Sequence, residues 1–140
     1  MTDQTADGAP PAGEDWTARQ FSLPARLGEI WCRKVDDRWT YAVTLTAEHA
    51  NHFGIAHGGA LMTMMDHGLS MLAWEASGRV QCSTVQLDSQ FLGVVNVPAF
   101  VRFDGEILRC GRQLVFLRGR LLVDDEAVME STGIWRMRRN

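Results

Sequence analysis

An ionisable carboxylate stands inside an oily run, shortly after an asparagine and two adjacent glycines. The stretch reads Asn51-His52-Phe53-Gly54-Ile55-Ala56-His57-Gly58-Gly59 and leads into the apolar segment from Ala60 to Ala76, which contains Asp66. From Leu61 onward, Met62, Met65, Leu69 and Leu72 recur three and four residues apart, which predicts one face of a helix. Met64 and Met71 widen the apolar surface beyond that stripe. Asp66 comes four residues after Met62 and three before Leu69, so it is expected within the stripe. A carboxylate placed there must be paired, hydrogen-bonded or shifted in its proton affinity. Asp66 is therefore the first residue to suspect of chemistry.

The elements that must position these residues follow from the chain on either side. The helix is predicted over roughly Gly59 to Ser77, with Ser77-Gly78 as its stop. Before it, Ile30 to Arg33 and Trp39 to Leu45 read as extended pieces around an Asp36-Asp37 turn, and His49 to Phe53 as a polar loop. After it, everything reads as strand. Thr84 to Leu92 sets Val85, Leu87 and Phe91 on one face against Thr84, Gln86, Asp88 and Gln90. Pro98 to Leu108, Leu114 to Val123 and Val128 to Met137 follow, separated by turns at Gly111-Arg112 and Asp124-Asp125. One helix followed by long antiparallel strands is an α+β pattern: a sheet of five to six strands wrapped around one long central helix. A helix so apolar all round needs cover on more than one side, which predicts a dimer.

The totals exclude several classes. With 140 residues the chain makes one domain, read as 21–140 behind a disordered tail at 1–20 that is polar, acidic and carries Pro10-Pro11. A net charge of -3 without a long basic run argues against nucleic acid as a partner. His67, Glu75 and Arg79 interrupt the longest apolar stretch, so no membrane span is expected. Neither a positive n-region nor an apolar h-region opens the chain, so no secretory signal is read there. Three scattered cysteines, Cys32, Cys82 and Cys110, read as buried thiols in a reducing compartment, the cytoplasm.

The pattern Asn51-x-x-Gly54-x-x-His57-Gly58-Gly59, six residues, then Asp66 resembles the motif of hotdog-fold acyl-CoA thioesterases of the PaaI-like clade. The resemblance extends from Leu27 to Met137. It implies a hotdog domain that hydrolyses acyl-CoA or arylacetyl-CoA, with no metal and no cofactor. It implies that the Gly59 N–H polarises the thioester carbonyl and that Asp66 acts as general base or nucleophile. Donors fixed in advance suit a tetrahedral oxyanion, and a helix start at Gly58-Gly59 offers free N–H groups, a favourable dipole and no Cβ to block approach. The resemblance further implies that Asp66 of one subunit faces the glycine loop and Asn51 of another, in a homodimer within a homotetramer. Asn51 would orient water or hold the thioester, and His57 would order the loop. Thr84 falls where a mitochondrial relative carries a serine, with Ser83 beside it.

Other residues carry two readings at once. Met62 and Met65 serve as core or as the lining of an acyl pocket, since thioethers adapt to varied ligands. Trp74 is a core plug or the floor of an acyl tunnel. Arg102, Arg109, Arg112, Arg118 and Arg120 reach coenzyme A phosphates or simply solubilise a strand face. The four histidines, His49, His52, His57 and His67, lack the helical spacing of a preformed metal site. His49 and His52 read as solvated loop residues. The competing functions are a non-catalytic acyl-CoA-binding module, which has no need for a buried carboxylate, and a hydratase, whose acid and histidine are differently spaced.

Overall fold

The computed structural model describes residues 30–138, so the expected tail at 1–20 and the start of the expected domain lie outside the described residues. Among the described residues, six strands and one long helix occur in the order β1 (Ile30–Val35), β2 (Arg38–Leu45), α1 (Gly58–Ala76), β3 (Cys82–Phe91), β4 (Ala99–Cys110), β5 (Leu114–Val123) and β6 (Glu126–Met137). A single 3-10 turn at Ala47–His49 precedes the glycine loop. All strands pair antiparallel in the spatial order β1-β2-β4-β5-β6-β3, so β1 and β3 are the edges. The hairpins β1–β2 and β5–β6 turn on Asp36-Asp37 and Asp124-Asp125, all four with positive φ between 48° and 66°. Two consecutive left-handed residues match the twist of a two-residue hairpin, and aspartate tolerates that region better than most.

The helix lies across the inner face of the sheet; of the stripe read from spacing, Met65 and Leu69 are fully buried, while Met62 and Leu72 are half-buried and pack against the core. Leu61, Met64, Met65, Gly68, Leu69 and Ala73 are buried against β4, β5 and β6. Asp66 and Met62 sit at the flank of that side, half-buried. Sheet curvature decides the rotation. A side chain at Gly68 would begin 2.6 Å from the Phe103 ring, so the helix approaches β4 through its glycine. Opposite it, Gly105 and Gly119 pair across β4–β5 and leave room for Phe103, Leu72 and Met65. The sheet therefore folds around the helix at a row of small residues, and the core closes over Phe103, Trp135, Leu69 and Met129.

One further expectation changes. Cys32 and Cys110 are exposed and Cys82 is half-buried, because Cys32 lies on the edge strand β1 and Cys110 at the open end of β4. Ile107 of β4 is also exposed, next to a register shift between Ile107 and Arg109 that turns the strand end away from the core.

Replacing a helical glycine by alanine ordinarily stabilises a helix by about 1 kcal/mol. At Gly68 the sign should reverse, since the Phe103 ring is buried and cannot give way. Gly68→Ala should lower unfolding stability by about 1–3 kcal/mol in urea titration, the usual cost of overpacking.

Candidate functional site

The residues singled out by type gather along one seam between α1 and the edge strand β3. Gly58, Met62, Asp66 and Ser70 are spaced by four, so they form one row along the helix surface. At the carboxylate, Thr84 Oγ1 donates to Asp66 Oδ1 at 2.6 Å. One turn further, the Trp135 indole N–H donates to Ser70 Oγ at 2.8 Å. At the other end, the Cε1 and Cζ atoms of Phe91 lie 3.5 Å from where a Gly58 side chain would begin. Thus Asp66, Met62 and the first turn of the helix all look onto β3.

Thr84 reaches Asp66 because β3 does not alternate as its sequence suggests. Thr84 pairs with Trp135 and Gln86 with Ile134, which leaves Val85 as one extra residue, a β-bulge. The bulge reverses the parity of the strand. Thr84 therefore shares the helix-facing side with Leu87, Ser89 and Phe91, and the expected opposition of Thr84 to Leu87 and Phe91 is corrected. Ser83 pairs with Arg136 and is exposed, one residue out of phase with Thr84.

The glycine loop is built by its own hydrogen bonds. Asn51 Oδ1 accepts from the Phe53 N–H at 2.9 Å and the Ile55 N–H at 3.4 Å. The Gly54 N–H returns to the Asn51 carbonyl at φ +76°, a conformation that favours glycine. Ala56 N–H donates to the Val95 carbonyl and Val97 N–H to the Gly54 carbonyl, tying the loop to the segment after β3. His49 is only 2% exposed, contrary to its expected solvation. Its Nδ1 accepts from the Thr46 N–H at 2.9 Å, and its carbonyl accepts the His57 N–H at 2.8 Å. The ring is drawn inward because it caps the turn that aims the loop. His52 stays exposed, with its ring 4.0 Å from that of Phe53.

His57 is the N-cap of α1 and makes no side-chain cap bond. The first backbone bond of the helix runs from the Ala60 N–H to the His57 carbonyl. Ahead of it, the Gly58 and Gly59 N–H groups have no backbone acceptor among the described residues. Such a terminus attracts a partial negative charge. Asp66 lies seven residues beyond Gly59, about 10 Å along the helix axis at 1.5 Å per residue. One tetrahedral carbon cannot touch both within a single chain. Asn51 and Asp66 likewise share no hydrogen bond in the chain.

The remaining expected ligand residues are more dispersed. Met65 is fully buried against β5, with its sulfur beside Gly119. Trp74 is half-buried toward the end of α1, with the Arg79 guanidinium 5.1 Å above its ring. Arg102, Arg118 and Arg120 pair with Asp125, Glu106 and Asp104. Arg109 and Arg112 form no ion pair among the described residues. A concavity of about 770 Å³ lies on the outer face of the sheet, lined by Arg38, Asp88, Asp104, Glu106 and Arg118 among others, away from Asp66. Among the described residues no group of three or more His, Cys, Asp or Glu side chains is placed to hold a metal ion. Among the described residues no helix is long and apolar enough to cross a membrane.

Phe91 and the Ser70–Trp135 pair were not singled out by type. The four-residue spacing of Ser70 from Asp66 was available as a signal, but the bulge that brings Phe91 and Thr84 to one face was not.

Residues 53–130, more than half of the chain, match the family model described as the thioesterase superfamily. The chain belongs to that superfamily. It is a thioesterase by family, and its six-stranded sheet around one long helix is the hotdog fold. A Pseudomonas aeruginosa protein named "Putative esterase PA0474" is 29% identical over 129 residues, covering 91% of this chain and 96% of that protein. The hypothetical thioesterase of Streptococcus pneumoniae TIGR4, solved with coenzyme A, superposes with a TM-score of 0.71 at 18% identity, over 78% of this thioesterase and 88% of that chain. Aspartate-to-alanine and threonine-to-alanine variants of that same protein superpose at 0.77 and 0.76, with 16% and 18% identity, over 86% and 87% of this chain and 100% of theirs. The Escherichia coli PaaI protein from the phenylacetic acid degradation operon gives 0.66 at 14% identity, over 73% of each chain.

The two roles of Asn51 can be separated. Asn51→Ala should speed hydrogen exchange of the Phe53 amide about fivefold, the loss of roughly one hydrogen bond. Asn51→Asp keeps an acceptor oxygen and should preserve that protection, while deleting the amide donor.

Proposed function

We propose that this thioesterase hydrolyses acyl-CoA thioesters at a site shared by two protomers, with Asp66 as general base or nucleophile. The observation that carries the reading is the Thr84–Asp66 bond on the flank of α1. A hydroxyl donating to the carboxylate holds one oxygen and leaves the other free to act. In the general-base form, Asp66 takes a proton from water as its oxygen attacks the carbonyl carbon. In the nucleophilic form, a carboxylate oxygen attacks directly and water cleaves the resulting anhydride. Either way the carbon–sulfur bond breaks, and the products are a carboxylic acid and a free thiol. The Gly59 N–H would take the oxyanion, Gly58 would leave the approach open, and the Asn51 amide nitrogen would steer water or the thioester. His57 would set the geometry of the helix start. This chemistry requires neither metal nor redox cofactor.

The coenzyme A assignment draws on the Streptococcus pneumoniae relative solved with that molecule. The alanine variants of that protein replace an aspartate and a threonine, the two residue types that meet here.

The separation of Asp66 from its own Gly59, about 10 Å along the helix axis, supports a site shared by two protomers. The edge strand β3 suggests how they meet. One end carries Thr84 beside Asp66, and the other carries Phe91 beside Gly58. Antiparallel pairing of β3 with its copy about a two-fold axis exchanges the ends, and sets Asp66 of one protomer by the glycine cradle of the other. Further pairing of such dimers would give the tetramer.

Asp66→Asn is nearly isosteric and should lower thiol release from a panel of acyl-CoAs by at least about a hundredfold. Equal rates in both proteins would leave a binding module as the better reading. A second test addresses the shared site. Co-expressed Asp66→Asn and Asn51→Ala chains should recover about a quarter of parental activity, because half of the dimers are mixed and each holds one intact site. Mixtures no more active than the variants alone would place both residues in one protomer's site.

A further inference from the structure

We infer that Phe91 is a specificity-determining residue, which admits thioesters unbranched at the acyl α-carbon and rejects α-branched ones. The inference rests on the site proposed above. Phe91 is the last residue of β3 and remains 52% exposed, although it shares the helix-facing side with the half-buried Leu87 and Ser89. The distal edge of its ring lies on the first turn of α1, 3.5 Å from the position of a Gly58 side chain. Because that side chain is a hydrogen atom, nothing separates the ring from the backbone that offers the free N–H groups. A carbonyl accepting from Gly59 therefore has the ring as its lateral neighbour.

The direction of the acyl group follows from polarity. The pantetheine arm carries amides and suits the wet side of the loop. Hydrocarbon suits the seam, where Met62 continues the helix row beyond Gly58 and Leu87 packs on the core. Leu92 and Val94, both exposed, extend the apolar lip past the strand end. The α-carbon is one bond from the carbonyl carbon, so it is the first acyl atom to meet the ring. A single chain of methylenes passes such a wall, whereas a second substituent at that carbon drives into it. Close contacts of this kind discriminate by about tenfold or more per added carbon group.

The test compares kcat/KM for octanoyl-CoA and 2-ethylhexanoyl-CoA, two eight-carbon acyl groups that differ in α-branching. The parent and Phe91→Tyr, which keeps the ring, should both favour octanoyl-CoA. In Phe91→Ala the ratio should shift toward the branched thioester by about tenfold, and in Phe91→Leu by a smaller factor. A merely structural role would lower melting temperature and both rates together, leaving the ratio in place. Phe91→Leu retains an apolar residue at the strand end, so a poorly folded alanine variant would not decide the matter. An unchanged ratio in folded variants whose hydrolysis still depends on Asp66 overturns the role of Phe91 alone. A parent that releases no thiol, or that is indifferent to Asp66→Asn, overturns the site beneath it as well.

Discussion

A carboxylate on the flank of an oily helix is tolerated only where something satisfies it. Here the hydroxyl of Thr84 does so, at 2.6 Å. That bond depends on one extra residue in β3. Without the bulge at Val85, Thr84 would project outward, and Asp66 would face the strand without a donor. The bulge is open to solvent on an edge strand, where an unpaired residue disturbs little. The position of the helix is set equally firmly, by Gly68 against Phe103 and by the Trp135 indole on Ser70. The seam is thus registered at its middle and at its far end by contacts of different kinds.

In the proposed function the same seam is half of a site. Its amide donors and its carboxylate are two helical turns apart, so each end would offer half of what an acyl transfer needs. The proposed assembly places the halves at opposite ends of an edge strand. A strand edge offers unpaired backbone groups, and a two-fold axis across it would bring one half to the other. In this picture the exposed apolar residues at the strand end, Phe91 and Leu92, are the walls of a substrate site rather than surplus surface.

Much of the fold was legible from residue patterns. The Asp36-Asp37 and Asp124-Asp125 turns fall where two-residue hairpins should. Leu114–Val123 forms a strand as expected, and the helix begins and ends within a residue of its glycine and serine signals. These features are local: they follow from a side-chain period or a backbone preference within a few residues. The readings that changed were those that needed the closed tertiary structure. On α1 the stripe itself is buried at Met65 and Leu69, and the tertiary packing adds Leu61 and Met64 to the buried side. His49 looked solvated although its cap partner Thr46 is only three residues away; its burial comes with the closed loop, where its carbonyl accepts the His57 N–H.

By itself, the sequence determined that a carboxylate would follow a glycine-opened helix start by seven residues and that strands would flank this helix. The tertiary structure decided which groups meet. β3 pairs with β6, which follows it by some forty residues, and the register of that pairing creates the bulge, aims Thr84 and lays Phe91 on Gly58. Spacing along a chain records local geometry. Which face an edge strand presents is settled by long-range pairing, and no period in the sequence encodes it.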